Sequence, residues 1–98
     1  MERNRYLVSY DIADDRRRAQ VYVCMNGFGE WMQYSVFVCD LGDRELIQLR
    51  LRLRDVIHYV EDSIMIVDLG PALDRGRYCF EFMGRTLQLP SPRGPTII

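Results

Sequence analysis

The sequence contains no lysine. All thirteen basic residues are arginine, set against nine aspartates and five glutamates for a formal net charge of -1. A polybasic nucleic-acid binder carries strong net positive charge, so any phosphate recognition here is local and made by guanidinium groups. Histidine is nearly missing too, with His58 alone. The three cysteines, Cys24, Cys39 and Cys79, lie far apart and form no C-x-x-C pair, which argues against a thiolate–imidazole zinc site. They read as small apolar residues of a reducing compartment. No apolar run approaches the ~18 residues needed to span a bilayer, and the N-terminus lacks the apolar stretch of a signal peptide. The expectation is a cytoplasmic protein with no membrane contact. No glycine-rich phosphate loop follows a strand, because Gly27 and Gly29 come after a helix. No serine or cysteine nucleophile is supported by a neighbouring base.

What is present reads as one small folded domain. The 98 residues are 48% apolar and 28% charged, the balance of a globular chain rather than a disordered one. Residues 1–89 are expected to form the domain and residues 90–98, rich in proline, a tail. A first strand runs from about Arg5 to Asp11, with Tyr6, Val8 and Tyr10 on one face and Leu7, Ser9 and Asp11 on the other. Asp14 or Asp15 caps a helix that reaches Asn26, and Gly27 stops it. Trp31 to Leu41 is rich in β-formers and reads as one long strand. Its Gln33, Ser35, Phe37 and Cys39 are expected on the same half-polar sheet face as Ser9 and Asp11. A second helix, from Asp43 to about Tyr59, carries the stripe Leu46, Leu49, Leu53, Val56, Ile57. Its Leu-Arg alternation over 49–54 also fits a strand, but leucine and arginine are good helix formers and the stripe continues on both sides. Ser63 to Leu69 is a buried strand by its apolar run. Arg77–Met83 and Thr86–Leu89 read as two further strands, and the arginine-rich segment from Arg77 onward reads as a docking edge.

Charge is unevenly placed. Arg16, Arg17 and Arg18 occupy the first turn of a helix, where cations oppose the macrodipole by about 0.3–1 kcal/mol each. Asp11, Asp14 and Asp15 lie close by in sequence. Residues 55–74 hold five acids and no arginine, whereas Arg75, Arg77, Arg85 and Arg93 gather near the C-terminus. The oxygen-rich constellation is Asp11, Ser9 and Ser35 with arginines following. One carboxylate plus water is a common way to hold magnesium, and a turn residue at a strand end is the simpler reading of Asp11.

Tyr10-Asp-Ile-Ala-Asp-Asp-Arg-Arg-Arg18, then Gly29, then Gln33-Tyr-Ser-Val-Phe37, resembles the CRISPR-associated protein two (Cas-two) family. The stretch Asp62-Ser-Ile-Met-Ile-Val-Asp-Leu69 is similar to that family's third strand. The resemblance covers about residues 5–83 and implies a ferredoxin-like α+β sandwich of the α/β class that forms a homodimer through its sheet faces. It implies work beside the CRISPR integrase in capturing spacers from foreign DNA, either as a DNA-binding scaffold or as a magnesium-dependent endonuclease on RNA or DNA. Asp11 matches the family's metal-binding and catalytic aspartate. Arg17 and Arg18, with Arg16 beside them, match its basic positions, and Ser35 and Phe37 its second-strand motif, so these five are the expected nucleic-acid contacts. Trp31 stands where many relatives have arginine. A toxin-type ribonuclease of the same fold, outside CRISPR, is the alternative.

Overall fold

A computed structural model of the chain describes residues 2–91. In chain order its elements are β1 (Asn4–Asp11), α1 (Asp15–Asn26), β2 (Glu30–Gln33), β3 (Val36–Leu41), α2 (Asp43–Val56), β4 (Ser63–Pro71) and the short α3 (Arg75–Tyr78). The strands form one antiparallel sheet in the order β2-β3-β1-β4. This is the ferredoxin-like βαββαβ arrangement that the resemblance implied, with α3 appended. Among the described residues no helix is long and apolar enough to cross a membrane.

The helices form where local chemistry favours them. Asp14 caps α1, its Oδ2 accepting from the Arg17 amide at 2.9 Å. At the other end Gly27 closes the helix by donating to the Cys24 carbonyl. The α2 start is held by the Glu45 Oε1, which accepts from the Gly42 amide at 3.0 Å. The alternating segment 49–54 is helical, as its stripe implied: Leu46, Leu49 and Leu53 are buried on one side of α2. They meet Val21 and Met25 of α1 over Tyr6, Val8 and Tyr10 of β1 and Phe37, Cys39 and Leu41 of β3. Each aliphatic side chain fully buried there contributes about 1.5–3 kcal/mol.

The expected single strand over Trp31–Leu41 is a hairpin instead. β2 and β3 are joined through Tyr34 and Ser35, a turn with no glycine, proline, asparagine or aspartate to announce it. Tyr34 sits at φ +44°, a left-handed conformation rarely taken by aromatic residues. The Trp31 indole stabilises it by donating from Nε1 to the Tyr34 carbonyl at 2.7 Å. The expected faces are corrected as well. The register pairs Val8 with Phe37 and Tyr6 with Cys39, so Phe37 and Cys39 face the helices. Burying the Phe37 ring decides this parity and leaves Val36 and Val38 on the side of Ser9.

The sheet face away from the helices is accordingly more apolar than expected. Leu7, Val36, Met65 and Val67 lie on it with Ser9, and Asp11 and Ser63 pair at its end. Met65 is 56% exposed. At the opposite end of this face Arg5 and Asp40 form a buried ion pair, 2.7 Å from Nε to Oδ1 and 2.9 Å from Nη2 to Oδ2. The Arg5 Nη2 also donates to the Pro90 carbonyl at 3.0 Å, which draws the C-terminal segment over that end. Neither Arg77–Met83 nor Thr86–Leu89 is a strand. The first begins inside α3, and Phe80 and Phe82 stack on each other with centroids 6.2 Å apart. Two adjacent rings on alternate positions pair locally instead of joining the sheet. The expected tail, with Arg93, lies outside the described residues from position 92 onward.

Candidate nucleic-acid interface

β1, α1, the β2–β3 turn and the loop before β4 converge at one end of the sheet. Asp11 ends β1 there with its side chain exposed. The hairpin turn packs beside it, because the Tyr10 amide donates to the Ser35 carbonyl at 3.0 Å. Ser35 is half-buried at this turn.

The loop that carries Asp11 into α1 is held by a residue outside the expected set. The Asp62 carboxylate accepts from the Ala13 amide (2.9 Å), the His58 amide (2.8 Å), Arg17 Nε (2.8 Å) and Arg17 Nη2 (3.1 Å). Its side chain is fully shielded from solvent. Four donors converging on one carboxylate lock the β1–α1 loop to the α2–β4 loop. Glu61 adds an ion pair at 3.0 Å to Arg17 Nη2. His58 is exposed and organises the same loop, its Nδ1 accepting from the Val60 and Glu61 amides. The Arg17 guanidinium, and then the two backbone amides, hold the Asp62 carboxyl far below the usual range. Reciprocally, the hydrogen bond to Asp62 raises the Arg17 pKa.

A depressed folded-state carboxyl stabilises the fold above its unfolded pKa, about 3.9 for aspartate, and that contribution is lost as pH falls through the folded value. Asp62→Asn is therefore expected to lower the thermal midpoint at neutral pH. The difference from wild type should shrink steadily as the solution is acidified below the ordinary carboxylate range. Thermal unfolding by circular dichroism across pH checks this, and a gap that stays constant into strong acid would contradict it.

The arginine triplet divides by role. Arg17 is occupied by Asp62 and Glu61. Arg18 pairs with Asp15 at 2.6 Å and donates to the Ile12 carbonyl at 3.0 Å. These acids offset the cations at the helix start. Arg16 is exposed and has no partner among the described residues. Phe37, expected as a contact, is fully buried against Tyr10 and Tyr22, so its ring packs the core and does not reach a ligand. Among the described residues no three histidine, cysteine or acidic side chains cluster to hold a metal. One chain thus brings one carboxylate, Asp11, to this end of the open face. The locking role of Asp62 has no local signal, because an acidic pair, Glu61-Asp62, before an apolar strand looks like a turn.

Comparison with known proteins gives consistent results. Residues 4–74 match the family model described as CRISPR associated protein Cas2. The chain is 42% identical over 67 residues to the CRISPR-associated endoribonuclease Cas2 of Geobacter sulfurreducens, covering 68% of this chain and 70% of that protein. It is 44% identical over 69 residues to the CRISPR-associated endoribonuclease Cas2 1 of Rhodospirillum rubrum, covering 70% and 68%. Its fold is similar to the crystal structure of a hypothetical protein from Thermus thermophilus, with a TM-score of 0.76 at 33% identity over 90% of this chain and 98% of that one. It is also similar to Streptococcus pyogenes Cas2, with a TM-score of 0.70 at 28% identity over 82% and 99%.

Proposed function

The chain belongs to the CRISPR associated protein Cas2 family, and from that premise we propose that it is a dimeric CRISPR protein with two roles. It holds DNA as a scaffold beside the CRISPR integrase, and it cleaves phosphodiesters, RNA first, with a divalent cation. The observation that carries this reading is the exposed Asp11 at the end of an open, apolar sheet face. Two copies stacked through Leu7, Val36, Met65 and Val67 would bury that face and bring one Asp11 from each chain to a shared axis. Facing carboxylates repel unless a cation or a shared proton lies between them.

The donor set fits magnesium, which takes one or two carboxylates and keeps several waters. When bound, such an ion polarises a phosphodiester and activates water. The chain's own residues do the rest. The Asp62 lock fixes the loop that follows Asp11, and Arg16 is the triplet's available guanidinium for a backbone phosphate. The names of the curated relatives favour RNA as the strand that is cut. With the family shown, a toxin-type ribonuclease outside CRISPR has no observation in its favour.

Two results are expected. RNA cleavage is lost in EDTA and returns with excess magnesium, read on a denaturing gel; cleavage undiminished by the chelator would overturn the cation's role. Arg16→Glu weakens duplex DNA binding and lowers its salt slope by about one for each phosphate no longer neutralised. Filter binding at several salt concentrations checks this, and an unchanged slope would remove Arg16 from the DNA surface.

A further inference from the structure

A second concavity lies between the β2–β3 hairpin and the C-terminal segment. Its volume is about 570 Å³, within the ~300–1,000 Å³ typical of small-ligand pockets. Trp31, Gln33 and Tyr34 line one side, and Arg85, Thr86 and Gln88 the other. The indole is 53% exposed and Tyr34 89% exposed. Rings this open to solvent leave π-faces available. The indole is also oriented in advance, because its single N–H is already spent on the Tyr34 carbonyl at 2.7 Å. Arg85 is the one charged side chain in the lining and has no partner among the described residues. Two glutamine amides supply both donors and acceptors.

Aromatic faces, amides and a single cation, beside the apolar Met32 and Leu87 and with no acid, make an unusual combination. An apolar peptide would leave the amides and the guanidinium unmatched. A lone phosphate would leave the rings unused. A nucleotide uses all three groups: rings for its base, amides for the base edge and a guanidinium for its phosphate. In a duplex the base faces are stacked and the pairing edges are occupied. We propose that this cavity is a subsite for one unpaired nucleotide of a single strand. The base stacks on Trp31 beside Tyr34, Gln33 and Gln88 meet its edge, and Arg85 binds its phosphate. The subsite rests on the nucleic-acid reading above and gives it a preference for unpaired over paired strands.

Trp31 is the sole tryptophan of the chain, so its fluorescence reports this cavity alone. The full chain is titrated in EDTA with a short single-stranded RNA and, separately, with a blunt duplex of the same sequence. The single strand should quench the emission and the duplex should not. Trp31→Ala should weaken single-strand affinity about 5- to 150-fold, the range for removing one base–aromatic stack, while Trp31→Phe retains most of it. Both variants should leave duplex affinity unchanged. If the single strand binds by anisotropy without quenching, if the duplex quenches equally, or if Trp31→Ala binds as wild type, the subsite is overturned and the nucleic-acid reading stands. If neither strand form binds at all, both fail.

Discussion

Arg5→Ala is expected to cost about 3–5 kcal/mol of folding stability, the range for breaking a buried ion pair from one side. Both side chains are almost fully buried, at 1% and 3% exposure, and they meet through two parallel hydrogen bonds. Removing the guanidinium leaves the Asp40 carboxylate in a low-dielectric interior without its principal counter-charge. It also deprives the Pro90 carbonyl of its donor. Small domains have only about 5–15 kcal/mol of total stability, so one substitution removes a large fraction. Replacing both partners, as in Arg5→Met with Asp40→Leu, should cost less than either single change, because no uncompensated charge remains. Urea unfolding of Arg5→Ala, Arg5→Met, Asp40→Leu and the double variant measures this. A double variant less stable than both singles would show that the pair itself, and not the stranded charge, dominates.

Asp11→Ala is expected to lose at least about 100-fold in RNA cleavage. A bound cation supplies several kcal/mol of transition-state stabilisation, and each ~1.4 kcal/mol is tenfold in rate. The fold should be indifferent to the change. Asp11 is exposed and its side chain has no hydrogen-bond or ion-pair partner among the described residues, so its removal should shift stability by less than about 0.5 kcal/mol. Single-turnover cleavage and a thermal melt on the same preparation separate the two. Full activity in this variant would leave DNA scaffolding as the chain's role.

Much of this architecture could be read from the residues. Alternation in Tyr6-Leu-Val-Ser-Tyr10 marked β1, and the Leu46, Leu49, Leu53 stripe identified α2 despite its strand-like run of arginines. The Asp14 cap and the Gly27 stop bounded α1. The hairpin was hidden because its turn is built from Tyr34 and Ser35, and what stabilises the left-handed Tyr34 is a side-chain bond from Trp31, which no local propensity encodes. Missing that turn also misplaced Phe37, since a bulge between Trp31 and Gln33 shifts the register before β3 begins. Asp40 gave a faint signal as a carboxylate inside Val36-Phe-Val-Cys-Asp-Leu41. Its partner, Arg5, lies 35 residues away and is known only from the pairing of β1 with β3. Asp62 is similar. Its importance comes from two segments that converge in space: Ala13 and Arg17 of the β1–α1 region lie 45 or more residues from Asp62 and reach it only after the sheet forms. The arginine triplet shows why a charge run does not by itself define a ligand surface. Of three adjacent cations, two are neutralised by the protein's own acids and one remains available.

The shared site needs two chains, because one chain supplies one carboxylate. Cleavage by mixed assemblies tests this most directly. Wild-type chains are unfolded and refolded together with increasing proportions of Asp11→Ala chains, and RNA cleavage is measured per wild-type chain in magnesium. If each site takes Asp11 from both partners, activity per wild-type chain falls in proportion to the fraction of variant chains present. Activity per wild-type chain that holds constant at every ratio would mean that each chain carries a complete site, and would contradict the shared two-carboxylate centre.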